Sequence, residues 1–447
     1  MTYGLRWDVN PPLEGKNSAN DPFTVTSLNP ASIALAPRGT PLYDTTYGNV
    51  APRAGIAWQL GGGPNWSRVL RAGAGIFYDL GQGSLGAVSF YFPYLAVKTV
   101  SPSPTPFPLS PQNAAPPAFS LSPPTASTFS IADPHLKLPR SYQWNVAVEQ
   151  SLGSGQSVSV TYIGAIGRDL LRVNEFYNLN PNFPSIALTD NSATSDYHAL
   201  QLKFQRRLSR GLQGLVSYSF SHSIDSASTD AFANYLNTPG SNVNIDRGNS
   251  DFDIRNAFTA GVTYDVPVPG SDRVVRSMLG GWSLDGFVFA RSASPVDVTY
   301  PIFRGNGSSL APRPNVVPGV PLELFGDGYP GGKIFNKAAF TAAPGGQQGD
   351  FGRNMLRGFD AVQADIGVQR QFRITEGMGL RFRAEFFNIL NHPNFGSPTN
   401  QLTSPLFGRS TQTLANSLGA GGANGGFNPL YQIGGPRSIQ LALKLQF

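Results

Sequence analysis

Apolar and polar residues alternate with period two along much of this chain. Successive side chains on a strand project to opposite faces, so such a segment reads as a strand with one apolar and one polar face. The last nine residues show it most cleanly. Ile439, Leu441, Leu443, Leu445 and Phe447 are apolar, while Gln440, Ala442, Lys444 and Gln446 between them are polar or small. Over 200–208, Leu200, Leu202 and Phe204 stand against Gln201, Lys203, Gln205 and Arg207. Over 212–220, Leu212, Val216, Tyr218 and Phe220 share one side. Over 380–386, Leu380, Phe382, Ala384 and Phe386 alternate with Arg381, Arg383 and Glu385. Weaker copies lie at 3–9, 53–58, 68–78, 142–150, 156–166, 256–266, 280–290 and 362–372. The pattern predicts about 12 strands, most near the length that crosses a bilayer when tilted, roughly 9–11 residues.

The connections alternate as well. Short ones fall at 60–66, 152–155, 209–211, 267–279 and 373–378, and long ones at 10–49, 79–140, 167–195, 225–251, 292–360 and 391–435. Tight turns at one rim and large loops at the other describe an up-and-down antiparallel barrel. A soluble sandwich has no reason to gather every long loop at one end. With the C-terminus on the periplasmic side, all the long connections lie outside the cell. Residues 101–140 hold 11 Pro, which cannot donate to a ladder, so this connection is expected to be irregular and solvated. The tract 419–429, GAGGANGGFNP, is expected to be flexible.

Composition agrees. Charged residues are 13% of 447, about half the usual share, and aromatics are 11%. This excludes a coiled coil or helical bundle and argues against a disordered chain. There is no cysteine, so thiolate metal sites, disulfides and Cys nucleophiles are excluded. The net charge is +6, but Lys and Arg are scattered, so no nucleic-acid partner is expected. No apolar stretch reaches the roughly 18 residues of a membrane-spanning helix. The start, MTYGLRWDVN, lacks a charged segment followed by an apolar one. Either a signal has been removed or Met1 is not the biological start.

Candidate chemistry is sparse. Gly81, Gly83 and Gly86 in GQGSLG fit a dinucleotide pattern, but AVSFYFPYL follows instead of a helix that could receive a pyrophosphate. They read as a loop or strand cap. His135, His198, His222 and His392 have no metal-ligand spacing. His198 and His222 are expected near opposite ends of one hairpin and far apart. Asp246, Asn249, Asp251 and Asp253 could hold a hard cation, although a polar loop entering a strand is the stronger reading. Arg71, Lys203, Arg207, Arg381, Arg383 and Lys444 fall on the polar faces. They are expected to pair with carboxylates of a plug or of neighbouring strands, with attraction of an anionic substrate as the alternative. No catalytic, cofactor or metal residue is assigned.

The segment GRNMLRGFDAVQADIGVQRQFRITEGMGLRFRAEFFNILNHPNFGSP (352–398) resembles the late barrel of TonB-dependent outer-membrane receptors, most closely the Oar-like branch. APRAGIAW (51–58), RVLRAGAGIFYD (68–79), SYQWNVAVEQSLGSGQSVSVTYIGAIGRDL (141–170), YHALQLKFQRRLSRGLQGLVSYSFSHSID (197–225) and PRSIQLALKLQF (436–447) are similar to further hairpins and to the last strand. The resemblance implies a 22-stranded barrel filled by an N-terminal plug, preceded by a TonB box and, in full-length Oar-like members, by a carboxypeptidase-regulatory-like domain. Neither plug nor TonB box is found here. Residues 1–447 are therefore expected to be the C-terminal part of that barrel, about 12 strands, with plug and regulatory-like domain absent. The implied function is energised uptake of an unidentified extracellular ligand across the cell outer membrane, with outer-membrane lipid, the TonB system and the barrel-assembly machinery as partners. Ile439, Leu441, Leu443, Leu445 and Phe447 would form the assembly signal that the resemblance assigns to a terminal Phe after alternating apolar residues. No enzymatic activity is expected. The alternative is a secreted or surface all-β binding or adhesion protein.

Overall fold

A computed structural model describes residues 1–16, 21–29, 32–63, 65–80, 85, 100, 107–116, 122–124, 128–228, 232–233, 243–267, 280–303, 309–344, 347–375, 377–417 and 433–447. Its frame is one sheet of twelve long strands. They are β1 (Thr2–Asp8), β2 (Asn49–Gly61), β3 (Arg68–Tyr78), β4 (Arg140–Leu152), β5 (Gln156–Asn180), β6 (Phe183–Ser209), β7 (Leu212–Asp225), β8 (Asn256–Asp265), β9 (Trp282–Arg291), β10 (Ala361–Arg373), β11 (Gly379–Phe387) and β12 (Ser438–Gln446). Each pairs antiparallel with its neighbours in chain order. That is the up-and-down topology expected from the alternating pattern. Among the described residues no helix is long and apolar enough to cross a membrane.

The register decides which side chains share a face, because residues opposite each other on a ladder project to the same side. From Lys444 the partners run through Arg381 to Gln371 and, from Gln369 on the same face of β10, to Ser283 on β9. The same face carries Thr263, Gln213, Gln205, Ser157, Glu149 and Arg71. The other face carries Leu443, Phe382, Val368, Leu284, Val262, Val216, Phe204, Val160, Val148, Leu70 and Trp58. A cavity of about 900 Å³ touches Gln205 on β6, Thr263, Asp285, Asp365, Arg383 and Gln440 on β12. The sheet from β6 to β12 therefore curls around its polar side. The convex side is an apolar band bordered by rings, with Tyr78, Tyr142, Trp144 and Tyr218 towards the long connections and Trp58, Tyr264, Trp282 and Phe372 towards the short turns. This is the profile of a membrane barrel wall.

Trp144 faces Gly164 across the β4–β5 ladder. A Cβ on Gly164 would fall within the indole ring, so glycine makes room for the ring. The β6–β7 hairpin turns through Arg210 (φ 53°) and Gly211 (φ 76°). Two consecutive left-handed residues match the twist of a two-residue hairpin. That turn, with a bulge beyond Arg206, sets the register that places His198 opposite His222. The two histidines are nearly equidistant from the turn and so are direct cross-strand neighbours, contrary to the expectation that they lie far apart.

The connection expected over 167–195 is also different. β5 and β6 continue as paired strands far beyond the band, to Asn180 and Phe183. Bulges near Gly167, Leu170 and Tyr177 interrupt the ladder. Period-two alternation fades there because neither face meets lipid.

Among the described residues the buried apolar clusters lie in the long connections. Val25, Ile33, Phe129, Ile131, Phe183 and Ile186 form one, and Leu42, Tyr43, Leu85, Ala132, Leu136 and Leu171 a second. A third joins Val296, Val298, Phe335, Phe340, Phe351, Leu356, Leu402 and Phe407. The long connections are thus folded caps with their own cores. The expectation of a solvated 101–140 loop fails at its end, where Phe129–Ala132 pairs parallel with β6 and Phe129 stacks on Phe183 at 5.1 Å. The tract 419–429 lies outside the described residues.

β1 pairs only with β2, and β12 only with β11, among the described residues. The sheet is a wall with two edges.

The two faces of β12 give a direct test. Leu443 is 69% exposed on the convex side, where arginine near the bilayer midplane costs about 2–4 kcal/mol. Leu443→Arg should lower the heat-modifiable, assembled form in outer-membrane fractions, and Lys444→Arg on the other face should leave it unchanged. Equal assembly of the two variants would refute the assigned faces.

Candidate functional site

The long-connection rim of β7 to β11 holds the densest polar chemistry in the described structure. Its centre is the turn Val243–Asp246. Asp246 is fully buried, and so are the guanidiniums that hold it, Arg172 from the outer part of β5 and Arg313 from the β9–β10 connection. Arg313 Nη1 donates to Asp246 Oδ1 at 2.9 Å, its Nη2 to Ile245 O and its Nε to Phe351 O. Arg172 donates to Asp246 Oδ2 and to Val243 O. One carboxylate thus ties three segments that are far apart in the chain.

A third arginine, Arg353, reaches the end of β7. Its Nη1 donates to Asp225 Oδ1 at 2.6 Å, and to Asp225 O and Asp246 O. Its Nη2 donates to Ser228 Oγ and Asp251 Oδ1. Asn354 donates to Asn249 O and to Asp251 Oδ1. Four residues on, Arg357 donates to Asp253 O and Oδ2. Asp253 also accepts the Ser223 N–H at 2.8 Å and lies 3.2 Å from His222 Nδ1. Burial pushes the Asp253 carboxyl upward, but the bonds from Arg357, Ser223 and His222 outweigh it and hold the group below the usual carboxylate range.

Pro295 and Val296 pair with Arg357 and Leu356 as a short ladder. It sits above the β9–β10 hairpin and has a cavity at each end. The distal one, about 360 Å³, is lined by Ser226, Ser228, Asp251, Asp297, Arg353 and Asn354 among others. It is polar and holds no aromatic ring. The membrane-proximal one, about 680 Å³, is lined by Arg255, Lys333, Arg357, Phe359, His392 and Phe395 among others. Arrangements of this kind bind and orient small molecules.

The residues singled out from sequence are distributed as follows. Asp246, Asp251 and Asp253 are engaged by guanidiniums, and Asn249 holds Asn354. Their oxygens are therefore occupied in a way that opposes the cation reading, and no group of three potential metal ligands occurs among the described residues. Of the basic residues on the polar face, Arg71 pairs with Glu149 of the neighbouring strand at 3.1 Å, as expected, whereas Arg383 pairs at 2.8 Å with Glu385 two residues along its own strand. His198 contacts the Tyr162 hydroxyl at 2.8 Å, and His135 pairs with Asp44. Gly81, Gly83 and Gly86 lie outside the described residues. Ile439, Leu441, Leu443 and Leu445 line the exposed convex face of β12, followed by Phe447. Sequence reasoning missed Arg172, Arg313, Arg353 and Arg357. Their partners lie 67 to 128 positions away, and spacing gives no sign of such pairs.

A family model described as outer membrane beta barrel domain matches residues 1–440. No curated protein matches the chain. Among solved structures, the chain is similar to the outer membrane transporter YddB from Escherichia coli, with 10% identity, TM-score 0.48, and coverage of 94% of this chain and 41% of that one. A variant of the ferric enterobactin receptor (PfeA) from Pseudomonas aeruginosa gives 11%, 0.43, 89% and 40% in the same order. The ferric-catecholate import receptor Fiu from E. coli gives 9%, 0.42, 99% and 40%. The chain spans about two fifths of the length of these three proteins.

Removing one partner of a buried ion pair strands the other charge, at a cost of about 3–5 kcal/mol. Asp246→Asn should therefore loosen the cap, seen as faster protease cleavage within 309–344 while the barrel strands stay protected. Asp251→Asn, at a half-exposed carboxylate, should change cleavage far less. Equal effects would show that Asp246 is not the tie. Because the folded pKa of Asp253 is depressed, its contribution is present above the unfolded value of about 4 and is lost as pH falls through the folded value. Asp253→Asn should flatten the acid limb of the cap's stability and leave a smaller pH dependence there.

Proposed function

The chain belongs to the outer membrane beta barrel domain family, and on that premise we propose that it is the barrel wall of a TonB-dependent receptor of the Oar-like branch, taking up an extracellular ligand with energy supplied from the inner membrane. The observation that carries this reading is the pairing of a two-faced membrane wall with folded, cavity-bearing caps on the long-connection rim. Lipid meets the apolar face. The polar face lines the path, and the long connections, on the outside of the cell, capture the ligand. No bond of the ligand is made or broken.

In this reading the unpaired edges of β1 and β12 are completed by further strands of a longer polypeptide. That polypeptide also supplies the plug and the segment that meets TonB. An edge left open in hydrocarbon strands backbone groups at several kcal/mol each, which favours completion. Ile439, Leu441, Leu443, Leu445 and Phe447 serve as the signal read by the assembly machinery. A secreted adhesion protein fits less well, because the apolar face continues across every strand and nothing among the described residues covers it.

Two measurements test the proposal. Protease added to intact cells should cut within 101–140 and 301–350; cleavage only after the outer membrane is permeabilised would reverse the orientation. An immobilised periplasmic domain of TonB should retain the complete receptor and not the 447-residue chain alone. Retention of the chain alone would place that contact in the barrel and overturn the division of labour.

A further inference from the structure

The two cavities beside the Pro295–Val296 ladder differ in chemistry, and the membrane-proximal one has the more selective lining. Its volume of about 680 Å³ falls in the usual range for small-ligand sites, roughly 300–1,000 Å³. Three of its walls are strand ends. Arg255 and Asn256 enter β8, Ser292 and Ala293 leave β9, and Asp360 leads into β10. The connection after β11 supplies His392 and Phe395. The site is therefore mounted on the rigid sheet.

Two features define what it can hold. The first is aromatic. Phe359 and Phe395 lie 5.2 Å apart and tilted by 46°. Gly331 (φ 74°) packs so closely on both that an added Cβ would strike each ring. The rings are thus held in place by backbone. The His392 ring makes no hydrogen bond among the described residues and stands beside them in the lining.

The second feature is positive charge. The lining carries Arg255, Lys333 and Arg357 against one carboxylate, Asp360, and Asp360 Oδ1 is already engaged by the Ala293 N–H at 2.7 Å. Behind the wall, Asp253 is shared by Arg357, Arg255 and His222. Arg255 is the loosest of these, at 3.8 Å. Lys333 is fixed by Glu323 at 3.1 Å and lies 5.7 Å from the Phe359 centroid. The carboxylates that pair these cations, Asp253 and Glu323, are not part of the lining, so the cavity wall itself presents more cations than carboxylates. A guanidinium favours a planar carboxylate, and aromatic walls favour a planar ring.

We propose that this cavity binds a small anion that joins a carboxylate to an aromatic ring. The assignment rests on the reading of the long connections as the ligand-capturing side, and names the ligand class there. The distal cavity, with Asp251 and Asp297 and no ring, is unsuited to the same compound.

The test is equilibrium binding to the purified full chain in detergent, so the TonB contact is not at stake: its failure would leave this result standing, and the reverse holds too. The probes are benzoate, cyclohexanecarboxylate, benzyl alcohol and inorganic phosphate. Benzoate should bind with roughly millimolar affinity, the scale a ligand this small reaches. The saturated acid, the neutral alcohol and phosphate should each bind more weakly. Arg255→Gln should lower benzoate affinity about tenfold, the worth of one charge-assisted hydrogen bond. Phe395→Leu should narrow the gap between benzoate and cyclohexanecarboxylate. Arg38→Gln, the same charge change on the remote β1–β2 connection, should have no effect. Absence of benzoate binding, equal affinity for benzoate and phosphate, or equal losses from Arg255→Gln and Arg38→Gln would overturn the proposal.

Discussion

A strand in hydrocarbon must satisfy every backbone N–H and C=O within the protein, because lipid offers no partner. The rest of this structure follows from that constraint. It forces neighbour-to-neighbour antiparallel pairing across twelve strands, and it turns one face of every strand towards lipid. The other face meets water, so Ser, Thr, Gln and charged side chains occupy it at little cost. With lipid on one side and solvent on the other, the sheet has no interior in which to build a hydrophobic core. Its cohesion rests on ladder hydrogen bonds and on cross-strand contacts such as Trp144 over Gly164.

The apolar cores lie instead where the constraint is lifted. Beyond the rim, the long connections meet water on all sides and fold by ordinary burial. Phe340, for instance, contacts Phe351 and Phe407 edge to face. These small cores would leave the caps free to pivot on the rim. The arginine ties prevent that. Arg172 comes from β5, Asp246 from the β7–β8 connection and Arg313 from the β9–β10 connection. A buried triad of this kind gives little net stability over a packed apolar substitute, since desolvation offsets much of the attraction. What it supplies is uniqueness of position: a guanidinium donates in fixed directions, and a displaced cap would bury the charges unpaired.

The same division explains what could be read from sequence. The strands were legible because the lipid face demands an apolar residue at every second position, as from Ile439 to Phe447. Strand number and order followed from that demand together with the alternation of short and long connections. Where the demand stops, so does the signal. The outer halves of β5 and β6 read as a loop, and the Phe129–Ala132 strand was hidden beside a proline-rich stretch. The histidine pair was misjudged for a different reason. Its separation depends on the Arg210–Gly211 turn, and one hairpin register converts chain distance into contact. The buried arginines are the extreme case. GRNMLRGFD was conspicuous as a string, but nothing within it announces that Arg353 meets Asp225 or that Arg357 meets Asp253.

The placement of carboxylates then decides the character of the two cavities. Both border the 353–360 segment, and its arginines point in different electrostatic circumstances. Arg353 is enclosed by Asp225, Ser228 and Asp251, so the distal cavity meets a neutralised guanidinium beside Asp251 and Asp297. Arg357 shares Asp253 with Arg255 and His222, and the proximal cavity's lining carries Arg255, Lys333 and Arg357 against one carboxylate, Asp360. The tie at the rim and the sign of the cavity are one arrangement. A carboxylate outside the lining that holds two guanidiniums, Arg357 and Arg255, fixes the positions of cations that line the cavity, and fixed cations are what a binding surface for an anion requires.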